Sequence, residues 1–323
     1  MSFLKKIYAK LFFKQYTIGI LEEDIAKVIA HKKNKLSVTW FKLDNYRESL
    51  ADPFIIDVSN GVVKIIAEIF TTGEHNGKIC LITYSKESGF STPQIILDKG
   101  IHLSYPCVYK EAGNIYVMVT EIAGFVLIYE FDQVANKLVN KKIMFNKPLV
   151  DATLLKYNGR YWLFGTLLTN EQSDNFHIFH ADSLYGPYHA HASNPVKIDL
   201  NGCRSAGNFI EVDNKIYRPA QNCSIYYGES ITLSRVLKLN EQEYEFDDHM
   251  TIKSNQDQDY NFGIHTINAN GRYIVVDGQK GHFQPFLQTS RAIRRGFLEF
   301  SKKKAKFIYY FSICNLEDLA LII

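Results

Sequence analysis

The sequence predicts an all-β protein with the architecture of a five-bladed β-propeller, on three observations. Hairpin-like segments recur at intervals of about 50 residues. Each segment places two β-rich apolar runs on either side of a turn that contains Gly or Asn. Aromatic residues make up 14% of the 323 residues, which is ample for a folded core. Antiparallel sheets repeated at a constant period are typical of propellers.

The repeat unit is a short polar or Pro-containing start, an apolar strand, a turn and a second apolar strand. Its five copies are ADPFIIDVSNGVVKIIAE, SYPCVYKEAGNIYVMVTE, VDATLLKYNGRYWLFGT, SAGNFIEVDNKIYRPAQ and GIHTINANGRYIVVDG. Later runs are interpreted as third strands, namely KICLITYSK, FVLIYEF and FHIFHAD. An early strand, near YTIGIL or LSVTWFKL, is expected to close the ring against the last blade and so remove exposed edges. A two-sheet sandwich is the alternative, but it gives no reason for a fivefold repeat.

The predicted propeller covers residues 16–290 and is flanked by basic segments at 1–15 and 291–323. The first segment has apolar residues at helical spacing and four lysines without an acidic residue. Such ends suit an anionic membrane surface, although packing on the propeller or docking on a partner fits them equally. We therefore expect a cytoplasmic protein, at the inner face of the membrane if these segments bind lipid.

Composition excludes several classes of function. The net charge of +3 is too small to argue for nucleic acid. The five cysteines are scattered and lack a CxxC pair, which argues against a zinc site or a disulfide framework. No run of ~20 apolar residues could span a bilayer. A Gly-rich phosphate loop, a G-x-S-x-G elbow and an H-E-x-x-H motif are all absent from the sequence.

Propeller geometry predicts that residues opening the first strand and closing the second strand of each blade meet at one end of the channel, here called the mouth. The opening residues are Asp52, Tyr105, Asp151, Ala206 and Ile264, the last beside His265. The closing residues are Glu68, Glu121, Thr166, Gln221 and Gly278. Carboxylates gathered in a partly buried funnel repel one another and favour acid–base chemistry, cation binding or hydrogen bonds to sugar hydroxyls.

The stretches ADPF, VDATLLKYNGRYWLFGT and GIHTI resemble the five-bladed propellers of glycoside hydrolase family forty-three. The resemblance implies that Asp52 is a catalytic base and that Asp151 orients the substrate. It also places His265 near the channel axis, where a divalent cation is often bound in that family. The family's acid, a Glu that opens blade four, is replaced here by Ala206.

A closer resemblance covers roughly residues 16–290. Its motifs are HLSYPCVY with Glu121, GPYHAHASNPVKID, CRSAGNFI and YRPAQNCSIYYG. They are similar to the N-terminal module of glucosamine inositolphosphorylceramide transferases and to modules of bacterial proteins tied to surface-polysaccharide assembly. In the plant proteins a separate downstream domain is the recognised glycosyltransferase, so the resemblance specifies the module better than the reaction. It implies a glycan substrate, which could be nucleotide- or lipid-linked.

The missing acid shapes the remaining candidate roles. Phosphate is a good leaving group that needs a cation more than a proton donor, so Arg204, Arg218 and His102 are candidates to bind it. The other candidate substrate-binding residues are Tyr105, Gln221 and His265. Each Arg could instead form a structural salt bridge, each His could be a core residue, and Tyr105 could simply pack in the channel.

Three functions remain open. The first is a glycosyltransferase or other glycan-modifying enzyme that uses a phosphate-activated or lipid-linked sugar. The second is a non-catalytic carbohydrate-binding module. The third is a glycosidase whose acid has moved to Glu68 or Glu121, because an alkoxide leaving group must be protonated. We favour the first.

Overall fold

The computed structural model describes residues 11–71, 76–121, 124–168 and 174–284. Its first elements are β1 (Phe12–Glu22), helix α1 (Ile25–Ala30) and β2 (Thr39–Trp40). Residues 15–281 form one compact unit, and residues 11–14 and 282–284 belong to a second unit. The predicted basic segments fall almost wholly outside the described residues, except that β1 already begins at Phe12.

Five antiparallel sheets follow one another along the chain, which confirms the predicted five-bladed propeller. Blade one contains β3 (Glu48–Ser59), β4 (Val62–Thr71), β5 (Lys78–Ser85), β6 (Gly89–Phe90) and β7 (Gln94–Leu97). Blade two contains β8 (Leu103–Glu111), β9 (Asn114–Glu121), β10 (Phe125–Asp132) and β11 (Lys137–Phe145). Blade three contains β12 (Leu149–Tyr157), β13 (Arg160–Leu167), β14 (Asn175–Ala181), β15 (His189–Ala190) and β16 (Lys197–Ile198).

Blade four contains β17 (Asn201–Ser205), β18 (Ile210–Val212), β19 (Lys215–Asn222), β20 (Ser230–Leu239) and β21 (Tyr244–Lys253). Blade five combines both ends of the fold: β22 (Ile267–Asn270) and β23 (Tyr273–Phe283) are followed outward by β1 and β2. The early strand therefore closes the ring as predicted, since β1 contains YTIGIL. Closure in this way pairs strand edges that would otherwise be exposed.

The apolar core lies mainly between neighbouring blades. The largest cluster joins blades one to three and includes Phe54, Met118 and Leu163. A second cluster packs blade four, blade five and α1 together, with Leu233, Ile267 and Val28 among its members. Buried faces of this kind leave the inner strands rigidly placed around the channel. Within the described ranges, none of the helical structure has the length and apolar character that a bilayer crossing requires.

Candidate functional site

Three inner strands share one irregularity, a β-bulge in which two residues lie opposite a single residue of the next strand. The bulges begin at Asp52 in β3, Tyr105 in β8 and Asp151 in β12. All three residues have left-handed backbone angles, with φ of 51°, 50° and 51°. Non-glycine residues adopt this region at a cost and do so often at functional sites. The repeat alignment of these three positions is therefore confirmed, although each lies within its strand and does not open it.

Asp277 of β23 anchors one half of the site, and the sequence analysis did not predict it. Its fully buried carboxylate accepts backbone N–H groups from Asp52 at 3.0 Å, His265 at 3.0 Å and Thr266 at 2.9 Å. One of its oxygens lies 2.5 Å from Nδ1 of His265. Because these contacts fix His265 from both its main chain and its ring, Nε2 of the imidazole is left facing Asp52.

Asp52 is the carboxylate at the centre of this half. Its Oδ1 lies 3.8 Å from His265 Nε2 and accepts a hydrogen bond from Thr266 Oγ1 at 2.7 Å. Burial raises the pKa of Asp52 to about 6; His265 opposes the rise, and Asp151 and Asp277 add to it. Burial favours neutral His265, but Asp277 outweighs it and raises the pKa of His265. Asp52 is thus ionised at neutral pH but close to its titration point.

Asp52, His265 and Asp277 also form a group whose ligand atoms could surround a cation. The donor set does not fit a resident ion well, however. The oxygens of Asp277 already accept three backbone N–H groups and face His265 Nδ1. Only Asp52 and His265 Nε2 would remain as protein ligands, and just one of these is an oxygen, so most of the six to eight ligands of a Ca²⁺ ion would have to be water. The arrangement instead suits charge pairing, in which Asp277 orients His265 through Nδ1 and the imidazole faces the Asp52 carboxylate at 3.8 Å.

The other half of the site is built around Asp151. Arg204 donates from Nε to Asp151 Oδ2 at 2.5 Å and from Nη2 to Oδ1 at 3.4 Å. Gln221 Nε2 donates to the same carboxylate at 3.3 Å, and the guanidinium carbon lies 4.9 Å from the centre of the Tyr227 ring. Burial would lower the pKa of Arg204, but Asp151 raises it. The charge of Arg204 is therefore largely balanced by Asp151.

Glu68 of β4 is a further carboxyl that the structure brings to the mouth. It is 4% exposed, and its Oε1 lies 3.5 Å from His102 Nε2. Burial raises the pKa of Glu68 well above its ordinary value, and the charges of Asp52 and Asp151 add to the rise. Burial also lowers the pKa of His102. Burial therefore favours the neutral form of both groups, so that Glu68 is the carboxyl of the mouth best suited to hold a proton.

Glu121 does not join this group, which corrects the predicted set of closing residues. Glu68 lies opposite Ala51, whereas the matching residue of blade two is Thr120, opposite Ser104. Glu121 is one residue further along β9. Because successive side chains of a strand point to opposite faces, it lies on the other side of the sheet. Its Oε1 is 3.7 Å from Lys99 Nζ.

Two further candidates have structural roles, the alternative that the sequence left open. Tyr105 is 1% exposed; its hydroxyl accepts the N–H of Gly207 at 2.8 Å and lies 3.0 Å from Thr153 Oγ1. Arg218 is buried inside blade four, and it donates to two main-chain carbonyls of β17 at 2.6 and 2.8 Å. Its guanidinium carbon lies 3.7 Å from the centre of the Phe176 ring. Neither side chain is placed to contact a substrate in the mouth.

Aromatic residues that the repeat did not indicate complete the mouth. The ring centroids of Tyr16 and Tyr227 lie 4.9 and 5.4 Å from that of His265. Tyr16 comes from the ring-closing strand, so no repeat position points to it. The sequence contained a signal for Asp277 that the sequence analysis missed. Asp277 immediately precedes Gly278, the predicted closing residue of blade five.

Comparison with known proteins identifies the family. The family described as "Glucosamine inositolphosphorylceramide transferase 1, N-terminal" matches residues 39–271, more than half of the chain. Glucosamine inositolphosphorylceramide transferase 1 of Oryza sativa subsp. japonica is 31% identical over 204 residues, which are 61% of this chain and 27% of the relative. The Arabidopsis thaliana protein of that name is 29% identical over 202 residues, 60% of this chain and 26% of the relative. The chain thus spans about a quarter of the length of the curated relatives it matches.

Solved structures share the fold at low sequence identity. Zg3597, a family 117 glycoside hydrolase from the marine bacterium Zobellia galactanivorans, has a TM-score of 0.52 at 13% identity, over 85% of this chain and 92% of its own. CoXyl43, a family 43 β-xylosidase/α-arabinofuranosidase from a compost microbial metagenome, has a TM-score of 0.50 at 13% identity, over 72% and 90%. With the family match, these findings support a carbohydrate-related propeller. The chain belongs to the family of N-terminal modules of glucosamine inositolphosphorylceramide transferase 1.

Proposed function

We propose that the propeller is an enzyme that breaks a glycosidic bond, by hydrolysis or by transfer to another sugar, with Asp52 as general base and Glu68 as general acid. One observation carries the proposal: two buried carboxyls lie at the same mouth, and their surroundings shift their pKa values to different extents. Burial raises the pKa of Asp52 to about 6, with His265 opposing the rise, whereas burial and the charges of Asp52 and Asp151 together raise the pKa of Glu68 well above its ordinary value. Titratable groups whose environments separate their pKa values in this way are suited to acid and base roles.

The reaction assigns one proton transfer to each carboxyl. Asp52 takes the proton of a water molecule or an acceptor hydroxyl, whose oxygen forms the new bond to the anomeric carbon. Glu68 donates its proton to the glycosidic oxygen as the old bond breaks. Asp151, held by Arg204 and Gln221, is left to orient the sugar through its hydroxyls.

This assignment favours a sugar alkoxide as the leaving group over a phosphate. A phosphate needs no proton donor, so a protonated Glu68 would have no task in its departure. Arg204, the cation expected to bind phosphate, already makes two hydrogen bonds to Asp151. Asp52 and Asp151 would moreover repel a phosphate in the same mouth.

Family membership favours a second candidate, in which a phosphate-activated or lipid-linked sugar is the donor for glycolipid or surface-polysaccharide synthesis. In this case Nη1 of Arg204, which has no hydrogen bond among the described residues, would contact the phosphate. The same candidate includes contact between the basic termini and the cytoplasmic face of a membrane. Cosedimentation with anionic lipid vesicles tests that contact, and we expect it to weaken as salt rises.

A paired assay separates these candidates. The full chain is incubated with a panel of oligosaccharides, followed by detection of new reducing ends and transfer products, and separately with nucleotide sugars, followed by detection of released nucleotide. We expect glycan cleavage or transfer that falls ~10²–10⁴-fold in Asp52→Asn and in Glu68→Gln. Glu121→Gln is the matched control and should keep full activity. Nucleotide release alone would favour the second candidate, and glycan binding without turnover would favour a non-catalytic module.

A further inference from the structure

A groove on the outer side of the propeller, between blades five and one, is separate from the channel mouth. It encloses about 610 Å³ between the segment from Thr39 to Asp44 and the outer strands of blade one. Four aromatic side chains line it, namely Trp40, Phe41, Tyr84 and Phe90. A volume of this order is within the range of small-molecule sites.

The aromatic lining is held in place by packing. Phe90 contacts Phe41 at a centroid distance of 5.6 Å and Tyr84 at 4.8 Å. The indole of Trp40 lies against two glycines: a Cβ at Gly19 or Gly278 would approach its ring to 2.6 or 2.5 Å. A larger residue at either position would displace the ring, so the backbone of β1 and β23 is shaped to seat it.

The groove wall is also fixed by hydrogen bonds to its backbone. Thr17 Oγ1 donates to the carbonyl of Phe41 at 3.0 Å, and the N–H of Phe41 donates to the carbonyl of Ile18 at 2.9 Å. Gln15 Nε2 lies 3.1 Å from each of the carbonyls of Asn45 and Glu48. A wall fixed before binding reduces the entropic cost of holding a ligand.

The polar groups of the groove indicate the chemistry of its occupant. The indole N–H of Trp40 is buried and has no hydrogen-bond partner within the part of the chain that the structure describes. Because this N–H is shielded, the groove offers a ligand its aromatic faces and its charged groups. Asp44 and Glu48 place two carboxylates on the lining against one amine, Lys42. This balance disfavours an anionic ligand, including the carboxylate of a fatty acid.

We propose that this groove binds a segment of a neutral oligosaccharide. Sugar rings present apolar C–H faces that pack on aromatic side chains, and their hydroxyls can donate to the carboxylates of Asp44 and Glu48. Ile69 lines the groove and directly follows Glu68 in β4, so the groove and the mouth lie on opposite faces of one strand. The groove would hold a second part of a glycan or a second glycan. It does not require the mouth to be catalytic.

Tryptophan fluorescence gives a direct test, because the chain has only two tryptophans. Trp162 is 2% exposed, and its indole N–H donates a hydrogen bond to the carbonyl of Tyr157. The Trp162→Phe variant therefore removes a buried tryptophan and leaves Trp40 as the fluorescent reporter. This variant is titrated with maltohexaose, cellohexaose, xylohexaose and chitohexaose, and with sodium octanoate as the acyl probe. We expect the fluorescence of Trp40 to change in a saturable way with at least one hexasaccharide at millimolar concentration. We expect no change with octanoate. The proposal would be overturned if the fluorescence changed with octanoate alone, or if it did not change with any of the sugars.

Calorimetry on single variants that keep Trp162 then locates the site. Trp40→Phe reduces the aromatic area of the lining, and we expect it to weaken sugar binding about fivefold. Phe90→Ala should weaken binding further, whereas Tyr185→Ala, which removes an exposed aromatic of blade three, should leave it unchanged. Asp52→Asn should leave binding in the groove unchanged, so any binding event that depends on Asp52 is assigned to the mouth. Full affinity in both Trp40→Phe and Phe90→Ala would show that the sugar does not bind in the groove.

Discussion

Replacing Asp52 with Asn should make the protein more stable while it removes activity. Asp52 is 6% exposed, has a left-handed backbone with φ of 51°, and carries a charge that burial disfavours. Asn has the same shape, adopts left-handed angles readily and can still accept the hydrogen bond from Thr266 Oγ1. The substitution therefore removes the cost of the buried charge and keeps the local contacts.

The size of the gain follows from the pKa. Folding raises the pKa of Asp52 from 3.8 to about 6, a shift worth about 3 kcal/mol at 1.36 kcal/mol per pKa unit. Between these two values the folded protein binds more protons than the unfolded chain, so the stability of the wild type rises as pH falls. The variant should thus exceed the wild type by about 3 kcal/mol above pH ~6, and the difference should vanish below pH ~4.

Urea denaturation followed by tryptophan fluorescence, at several pH values across this window, measures the effect. Asp57→Asn is the control, since Asp57 lies in the same strand, is only partly buried and bonds to Ser59. It should change the free energy of unfolding by no more than ~0.5 kcal/mol. A variant at Asp52 that is no more stable than the wild type at neutral pH, or whose gain does not shrink in acid, would refute the reasoning.

Three further predictions concern the neighbouring groups. Glu68→Gln should abolish the alkaline limb of the pH–rate profile, because that limb reports the loss of the acid's proton. Glu121→Gln should leave the profile intact, and loss of the limb in both variants would contradict the assignment of Glu68 as the acid. Arg204→Met should lower the free energy of unfolding by ~3–5 kcal/mol, because it leaves Asp151 buried and unpaired. Adding Asp151→Asn should restore most of that loss, and denaturation curves that show no recovery would exclude this explanation. Tyr105→Phe should lower the free energy of unfolding by ~1–3 kcal/mol and leave kcat unchanged, because it breaks two buried hydrogen bonds away from the substrate. A lower kcat in a variant that still folds would place Tyr105 in the catalytic site.

The sequence predicted those features of the fold and site that depend on the repeat. Asp52 and Asp151 were located because each stands near the start of its copy, seven or eight residues before the Asn of the turn, and strand geometry places both starts at the same end of the channel. Glu121 shows that an error of one residue in the alignment of the copies is enough to misplace a side chain. A displacement of one residue along β9 turned its side chain to the other face of the sheet, next to Lys99.

Contacts between blades that are distant in sequence could not be predicted in the same way. Asp277 accepts the N–H of Asp52 across a separation of 225 residues. Tyr16 reaches His265 only because the first strand closes the ring. Arg218 looked like a ligand-binding residue beside the mouth, but its guanidinium satisfies two buried carbonyls inside blade four. The choice between those roles depends on where unpaired acceptors lie after folding.

The absence of an acid at the start of blade four follows from how blades four and five meet. Ala206 is fully buried in the apolar cluster that contains Ile264 and Ile267, and its carbonyl accepts the N–H of Ile267 at 2.8 Å. A glutamate there would place a carboxyl among apolar side chains, at a large cost in desolvation. Blade four instead carries a longer bulge, three residues opposite one, which brings Arg204 to the mouth. An arginine at this point pairs with Asp151 but cannot donate a proton to a leaving group, because its pKa lies far above neutrality. Under the proposed function, blade one therefore supplies both the base, Asp52, and the acid, Glu68.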